Sequence, residues 1–182
     1  WPSFLPALQM AHSPESAFDI SQHAPARERL AYDEFLAHQL TKAIARSQAR
    51  GNTGRKTKGD GQLQAMVLAQ LPYKPTGAQL RTIDEISVDM NSPRRMNRLL
   101  QGDVGAGKTL VGFMALLQAV EAGGQGVLMA PTEILARQHL ESLYPLADRA
   151  GLRLEILTGR DKSEERRQKL IDLGSGVINI LI

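Results

Sequence analysis

The chain has 182 residues, 42% of them hydrophobic and 23% charged, a composition that fits an ordinary globular domain and excludes collagen-like, coiled-coil and generally disordered classes. Cysteine is absent, which removes disulfides, thiolate catalysis and cysteine-ligated zinc; no apolar run reaches the roughly 18 residues of a membrane helix, and Trp1 to Met10 lacks the basic flank of a signal peptide, so the sequence reads as cytoplasmic with no membrane partner. The formal charge is +3, with nine Lys and Arg against six Asp and Glu in residues 1–75 and thirteen against thirteen in residues 76–182, a weak excess that suits a polyanionic partner.

Trp1 to Ala24 holds three prolines and shows no clear period, so it reads as a connecting segment. From Pro25 to about Gln48 the apolar residues Leu30, Leu36, Leu40 and Ile44 recur at helical spacing, and proline is acceptable in a first turn. Between Arg46 and Gln62, Gly51, Gly54, Gly59 and Gly61 alternate with Arg46, Arg50, Arg55, Lys56 and Lys58. That composition predicts a flexible basic linker over residues 49–62, its cations serving either as a solvated surface or as sequence-independent phosphate contacts.

Leu63 to Leu71 predicts a short helix, stopped by Pro72 and Pro75. A second helix is expected from Gly77 to about Met90, because Thr76 and Gln79 have capping-box spacing and Leu80, Ile83 and Ile86 share one face. Strands over Arg98–Gln101, Gly126–Ala130, Leu152–Leu157 and Val177–Ile182 then alternate with helices over Thr109–Glu121, Glu133–Leu146 and Ser163–Leu173. Such alternation needs crossover connections and so predicts an α/β fold with a mostly parallel sheet. The final run, Val177 to Ile182, breaks off without a turn signal, which leads to the expectation that the chain is a piece of a longer polypeptide.

Gly102-Asp103-Val104-Gly105-Ala106-Gly107-Lys108-Thr109 has the spacing G-x-x-x-x-G-K-[ST] between an expected strand and an expected helix. Glycines let the backbone fold around an anion with no Cβ in the way, and successive N–H groups together with the helix dipole then attract phosphate. Lys108 is expected against the β- and γ-phosphates, and the Thr109 hydroxyl on Mg²⁺. A P-loop by itself does not separate kinases, GTPases and motors, so the flanking segments must decide.

The run Met96 to Thr109, MNRLLQGDVGAGKT, resembles motif I of the RecG branched-DNA helicases, superfamily-2 enzymes whose relative, the transcription-repair coupling motor, has a close variant. Leu128 to His139, LMAPTEILARQH, resembles the RecG form of motif Ia. Thr76-Gly-Ala-Gln79 sits where that family keeps its adenine-recognising glutamine, and Leu157-Thr-Gly159 is similar to the start of motif Ib. These motifs stand in the family's order over about Pro72 to Ile182, and residues 1–48 resemble, less distinctively, its helical connector.

The resemblance implies a RecA-like P-loop NTPase lobe over residues 63–182, preceded by an α-helical connector over 1–48 and the linker over 49–62. It implies ATP and Mg²⁺ as cofactors and branched or double-stranded DNA as partner. Gln79 would then bond adenine, serve as the capping-box partner, or do both in different states; Tyr73 would stack on the base or pack. Pro131, Thr132, Glu133, Arg137, Thr158 and Gly159 would contact nucleic acid; the alternatives are an ordinary N-cap for Thr132 and exposed, solvated positions for Arg137, Gln138, Arg160 and Lys162. The acidic Walker B segment, the second motor lobe with its arginine finger and the DNA-splitting wedge domain are not identifiable in the sequence. Nor is the guanine-reading Asn-Lys-x-Asp of a GTPase, which leaves a motor, or a vestigial P-loop in an interaction module. The first reading implies an ATP-dependent DNA helicase in the parent protein and a stretch that, alone, at most binds nucleotide.

Overall fold

The computed structural model describes residues 1–51 and 53–182, with the backbone alone for residues 49–51. Its internal packing divides the chain into two compact units, Trp1–Asn52 and Thr53–Ile182.

The first unit is a pair of helices, α1 (Phe4–His12) and α2 (Pro25–Gly51). Helix α1 corrects the expectation of an irregular segment. Pro6 falls in its first turn, where the missing N–H has no intrahelical acceptor, so the proline that suggests a loop costs the helix nothing. Ala7, Ala24 and Ala26 are buried, and small side chains there let α1 and α2 approach closely. The turn between them is tied by Asp19, whose carboxylate accepts from the Ser16 N–H at 2.8 Å and the Ser16 hydroxyl at 2.9 Å. Leu36, Leu40 and Ile44, which supply the helical period of α2, are exposed.

The second unit is α/β, as expected. Helices α3 (Gln62–Gln70), α4 (Gly77–Met90), α5 (Lys108–Glu121), α6 (Glu133–Arg149) and α7 (Ser163–Gly174) surround a parallel sheet of β1 (Gly126–Val127), β2 (Leu154–Glu155) and β3 (Ile180–Leu181). Strand order is β1-β3-β2, so the crossover through α6 skips a position that β3 later fills. The strands are shorter than expected, yet ladder bonds continue past them, from the Leu128 N–H to the Leu181 carbonyl and from the Leu157 N–H to the Ile182 carbonyl, each at 2.8 Å.

Helix α5 is the core of this unit. Leu110, Val111, Phe113, Met114 and Leu117 are all buried, packed with Val67 of α3, Ile83 and Ile86 of α4, Ala136 and Leu143 of α6, and Ile180 and Ile182 of the sheet. The P-loop therefore stands at the mouth of the most fully buried helix, and that burial fixes its frame.

Two sequence expectations are not met in this unit. Residues Arg98–Gln101 form no strand among the described residues; Leu99 is 85% exposed, and Arg98 is instead drawn to α4 by Glu85 at 2.7 Å and Asp89 at 2.8 Å. An apolar run signals burial, but a strand also needs a ladder partner. Residues 53–61, within the segment read as a linker, are also tied down. The Gly54 N–H donates to the Pro93 carbonyl at 2.7 Å, the Thr57 N–H to Met90 at 2.9 Å, and the Arg55 guanidinium to the Ala122 carbonyl at 3.2 Å. A Cβ on Gly54 would stand only 2.6 Å from the Arg94 backbone, so glycine is there for close approach as well as for looseness. The side chain of Arg50, another of the linker cations, lies outside the described residues.

Candidate functional site

Gly102 to Gly107 form a turn that delivers the chain into α5, one residue earlier than the sequence suggests, with Gly107 as N-cap. Gly105 and Gly107 lie in the left-handed region at φ 83° and 76°, conformations that cost an L side chain on the order of 1 kcal/mol. Gly107 is constrained twice, because a Cβ there would collide with the Gln79 amide nitrogen. The only hydrogen bond inside the loop's backbone among the described residues runs from the Ala106 N–H to the Asp103 carbonyl, at 3.2 Å. The N–H groups of Gly105, Gly107, Lys108 and Thr109 have no protein partner among the described residues, and the last two open the first turn of a helix whose dipole favours an anion. Lys108 folds back over the loop, its ammonium donating to the carbonyls of Gly102 and Asp103 at 2.7 Å each. Val104 is wholly exposed at the tip, and Thr109 is half-buried beside Lys108. Unpartnered N–H donors and an ammonium on one loop fit a polyphosphate.

Gln79 reaches this loop from α4. The capping box forms as the spacing implies: the Thr76 hydroxyl accepts from the Gln79 N–H at 3.2 Å, and the Gln79 side-chain oxygen accepts from the Thr76 N–H at 2.8 Å. The amide nitrogen of the same side chain donates to the Ala106 carbonyl at 2.9 Å, which brings Gln79 and the P-loop into one site. Tyr73 is exposed nearby in sequence, between Pro72 and Pro75.

The second group lies at the carboxyl ends of β1 and β2, where open α/β sheets bind ligands. Pro131 and Thr132 are exposed, and Thr132 caps α6 by accepting from the Leu135 N–H at 3.3 Å. Glu133 holds two arginines: Arg137, through Nε at 3.0 Å and Nη2 at 2.8 Å, and Arg160 at 3.2 Å. Through Arg160, Glu133 joins the start of α6 to the turn that carries Thr158 and Gly159. Thr158 is buried and Gly159 exposed.

Asp161 closes that turn. Its carboxylate accepts from the Thr158 N–H at 2.9 Å and from Lys169 of α7 at 3.2 Å. Burial alone would raise the Asp161 carboxyl, but the bonds from Thr158 and Lys169 and the nearby Arg166 outweigh it and hold the group below the usual carboxylate range. Neither Asp161 nor Lys169 stands out in the sequence, since an eight-residue separation from loop to helix matches no motif. The Gln79 bond to Ala106 is likewise a tertiary contact with no local signal. Gln118 could have been found: it is a polar residue on the apolar face of α5, buried, and donates to the Thr57 carbonyl at 2.7 Å. Among the described residues no group of three or more His, Cys, Asp and Glu stands together to hold a metal ion, and no helix is long and apolar enough to cross a membrane.

Comparison with known proteins places these features. The family model described as DEAD/DEAH box helicase matches residues 76–182. The ATP-dependent DNA helicase RecG of Bacillus subtilis (strain 168) is 41% identical over 182 residues, covering 100% of this chain and 26% of that protein. RecG of Escherichia coli (strain K12) is 38% identical over 181 residues, covering 97% and 26%. A solved structure of RecG bound to a three-way DNA junction superposes with a TM-score of 0.73 at 39% identity, over 86% of this chain and 22% of the other. The chain thus spans about a quarter of the length of these relatives, and its α/β unit is part of a RecA-like lobe. The model that matches the P-loop, the capping-box glutamine and both strand-end turns covers more than half of the chain, which therefore belongs to the DEAD/DEAH box helicase family and is similar to RecG along its whole length.

Proposed function

We propose that this chain is the ATP-binding portion of a RecG-type motor that couples ATP hydrolysis to the remodelling of branched DNA, such as stalled forks and four-way junctions, in repair and recombination. The observation that carries this reading is the convergence of the free N–H groups of Gly105, Gly107, Lys108 and Thr109, the Lys108 ammonium and the Gln79 amide on one loop.

In this reading the phosphates take the N–H groups at the mouth of α5, and Lys108 exchanges its two carbonyl partners for phosphate oxygens. Gly102, Asp103, Val104 and Ala106 supply the rest of the cradle. The Thr109 hydroxyl would be this chain's ligand to Mg²⁺, which when bound would supply charge neutralisation at the phosphates. Gln79 keeps one amide proton and one lone pair beyond its two protein bonds, enough to address adenine. DNA phosphates meet Pro131, Thr132 and Arg137 at the start of α6 and Thr158 and Gly159 in the neighbouring turn, while Glu133 orients Arg137. Residues 1–48 act as a helical connector, 49–62 as the basic link and 63–182 as the first part of the ATP-binding lobe. A cytoplasmic location goes with work on DNA.

Hydrolysis also needs carboxylates to hold the metal ion and polarise water and an arginine from a second lobe. The isolated chain is therefore expected to bind nucleotide without turnover. Lys108→Ala in the full-length helicase tests the assignment. Loss of DNA-stimulated phosphate release supports it, and undiminished turnover removes the role given to Lys108.

A further inference from the structure

We infer that Asp161 and Lys169 are positioning residues that hold the Thr158–Gly159 turn ready for a DNA phosphate and cancel the negative charge that would otherwise stand beside it. The inference rests on the proposed function, in which that turn touches DNA.

Geometry carries the first half. One oxygen of Asp161 accepts the Thr158 N–H at 2.9 Å and the other accepts Lys169 Nζ at 3.2 Å, while the same ammonium donates to the Ile156 carbonyl at 2.8 Å. The turn is thus fastened at Ile156, Thr158 and Asp161 by a single ammonium–carboxylate pair whose side chains are only 20% and 10% exposed. Arg166 adds a bond to the Thr158 carbonyl at 3.3 Å, and the Thr158 hydroxyl accepts from the Arg160 N–H at 3.3 Å. With the Thr158 N–H committed to Asp161, the donor left without a protein partner among the described residues is that of Gly159, on an exposed residue. Asp161 therefore selects which amide of the turn is offered.

Charge carries the second half. A carboxylate two residues from a phosphate-binding amide repels the phosphate unless a cation offsets it, and in a partly buried site that repulsion is poorly screened. Lys169 sits on the carboxylate face of Asp161 and supplies the offset without itself being at the exposed edge. Removing the ammonium and removing the carboxylate are then not equivalent injuries. Lys169→Met leaves a negative charge beside the DNA that has lost its directly bonded cation and keeps only the more distant Arg166, whereas Asp161→Asn keeps an oxygen for the Thr158 N–H and removes that charge.

The test is a double-mutant cycle in the full-length helicase, read by fluorescence anisotropy with a labelled three-way junction and by the DNA concentration giving half-maximal ATPase. Lys169→Met should raise both about 10-fold, a coupling typical of groups in contact, with kcat at saturating DNA held within about twofold. Adding Asp161→Asn to Lys169→Met should restore DNA affinity to within about threefold of wild type, a rescue that a purely structural pair would not give. Asp161→Ala, which unfastens the turn, should weaken DNA binding while leaving the dependence of log K on log salt unchanged. A salt slope that falls by about one in Lys169→Met, with no rescue by Asp161→Asn, would instead make Lys169 a direct phosphate contact and overturn the inference. Lowered melting temperatures with DNA affinity untouched in Asp161→Ala would overturn it as well. Thr158→Val and Arg137→Ala separate this from failure of the underlying reading. If they weaken DNA binding while the Asp161 and Lys169 variants do not, only the positioning role falls; if none of the four matters, the DNA face lies elsewhere.

Discussion

The side-chain amide of Gln79 donates to the Ala106 carbonyl at 2.9 Å while its oxygen caps α4 through the Thr76 N–H at 2.8 Å, so one residue fastens a helix start and the P-loop together. A base bound at Gln79 and phosphates bound at Lys108 would consequently be held by parts of one hydrogen-bonded unit. That geometry makes Gln79 a joint as much as a recognition group.

Gln79→Ala should therefore lower stability by about 0.5–2 kcal/mol, the range for loss of a capping interaction, and weaken nucleotide binding as well. Urea denaturation and titration with a fluorescent ATP analogue check the two effects separately. Loss of stability with unchanged nucleotide affinity would confine Gln79 to its capping role.

Gly105 and Gly107 both have positive φ, but only Gly107 faces a neighbour, since nothing lies within 4 Å of a Cβ on Gly105. Gly105→Ala should cost the backbone strain alone, about 1 kcal/mol, and retain weakened nucleotide binding. Gly107→Ala must also displace the Gln79 amide and should abolish binding. Equal affinities for the two variants would contradict this account of the loop.

Asp161 gives a pH signature. Its carboxyl lies below the usual value in the folded protein, so its contribution to stability is present above the ordinary carboxylate pKa of 3.8 and is lost as pH falls through the lowered folded value. Asp161→Asn should remove this part of the acid limb, giving a shallower loss of stability below about pH 4. Melting temperatures of both proteins across pH 2–6 measure it, and parallel acid limbs would mean that Asp161 gains nothing from Thr158 and Lys169.

Glu121 accepts from the N–H groups of Gly61 and Leu63 at the start of α3, so Glu121→Ala leaves two half-buried donors unmet. A loss of about 1–3 kcal/mol is expected for each donor without a partner, less where water reaches it. Hydrogen exchange should show faster opening of residues 57–70, and unchanged exchange there would mean that the segment is held by its apolar contacts alone.

Much of this site is legible in the sequence because it is built from local rules. The P-loop spacing calls for glycine at one of the two left-handed positions, Gly107, Thr76 and Gln79 form their capping box, and Thr132 caps α6. What escapes sequence reading is tertiary: Gln79 on Ala106, Glu133 on Arg160, and Lys169 on Asp161 join residues from different elements. Helix α1 is missed because Pro6 reads as a breaker until it is placed in a first turn. Arg98–Gln101 is over-read as a strand because its apolar residues say nothing of a partner. Likewise the glycine and charge content of residues 53–61 does not reveal that their N–H and C=O groups bond to the segment around Met90–Pro93 and to α5.

The most direct measurement is amide hydrogen exchange on the full-length helicase with and without a non-hydrolysable ATP analogue. Exchange at Gly105, Gly107, Lys108 and Thr109 should slow markedly on binding, because their N–H groups pass from solvent to phosphate oxygens. Protection that appears elsewhere while residues 102–109 exchange as before would place the nucleotide outside this loop and contradict the account.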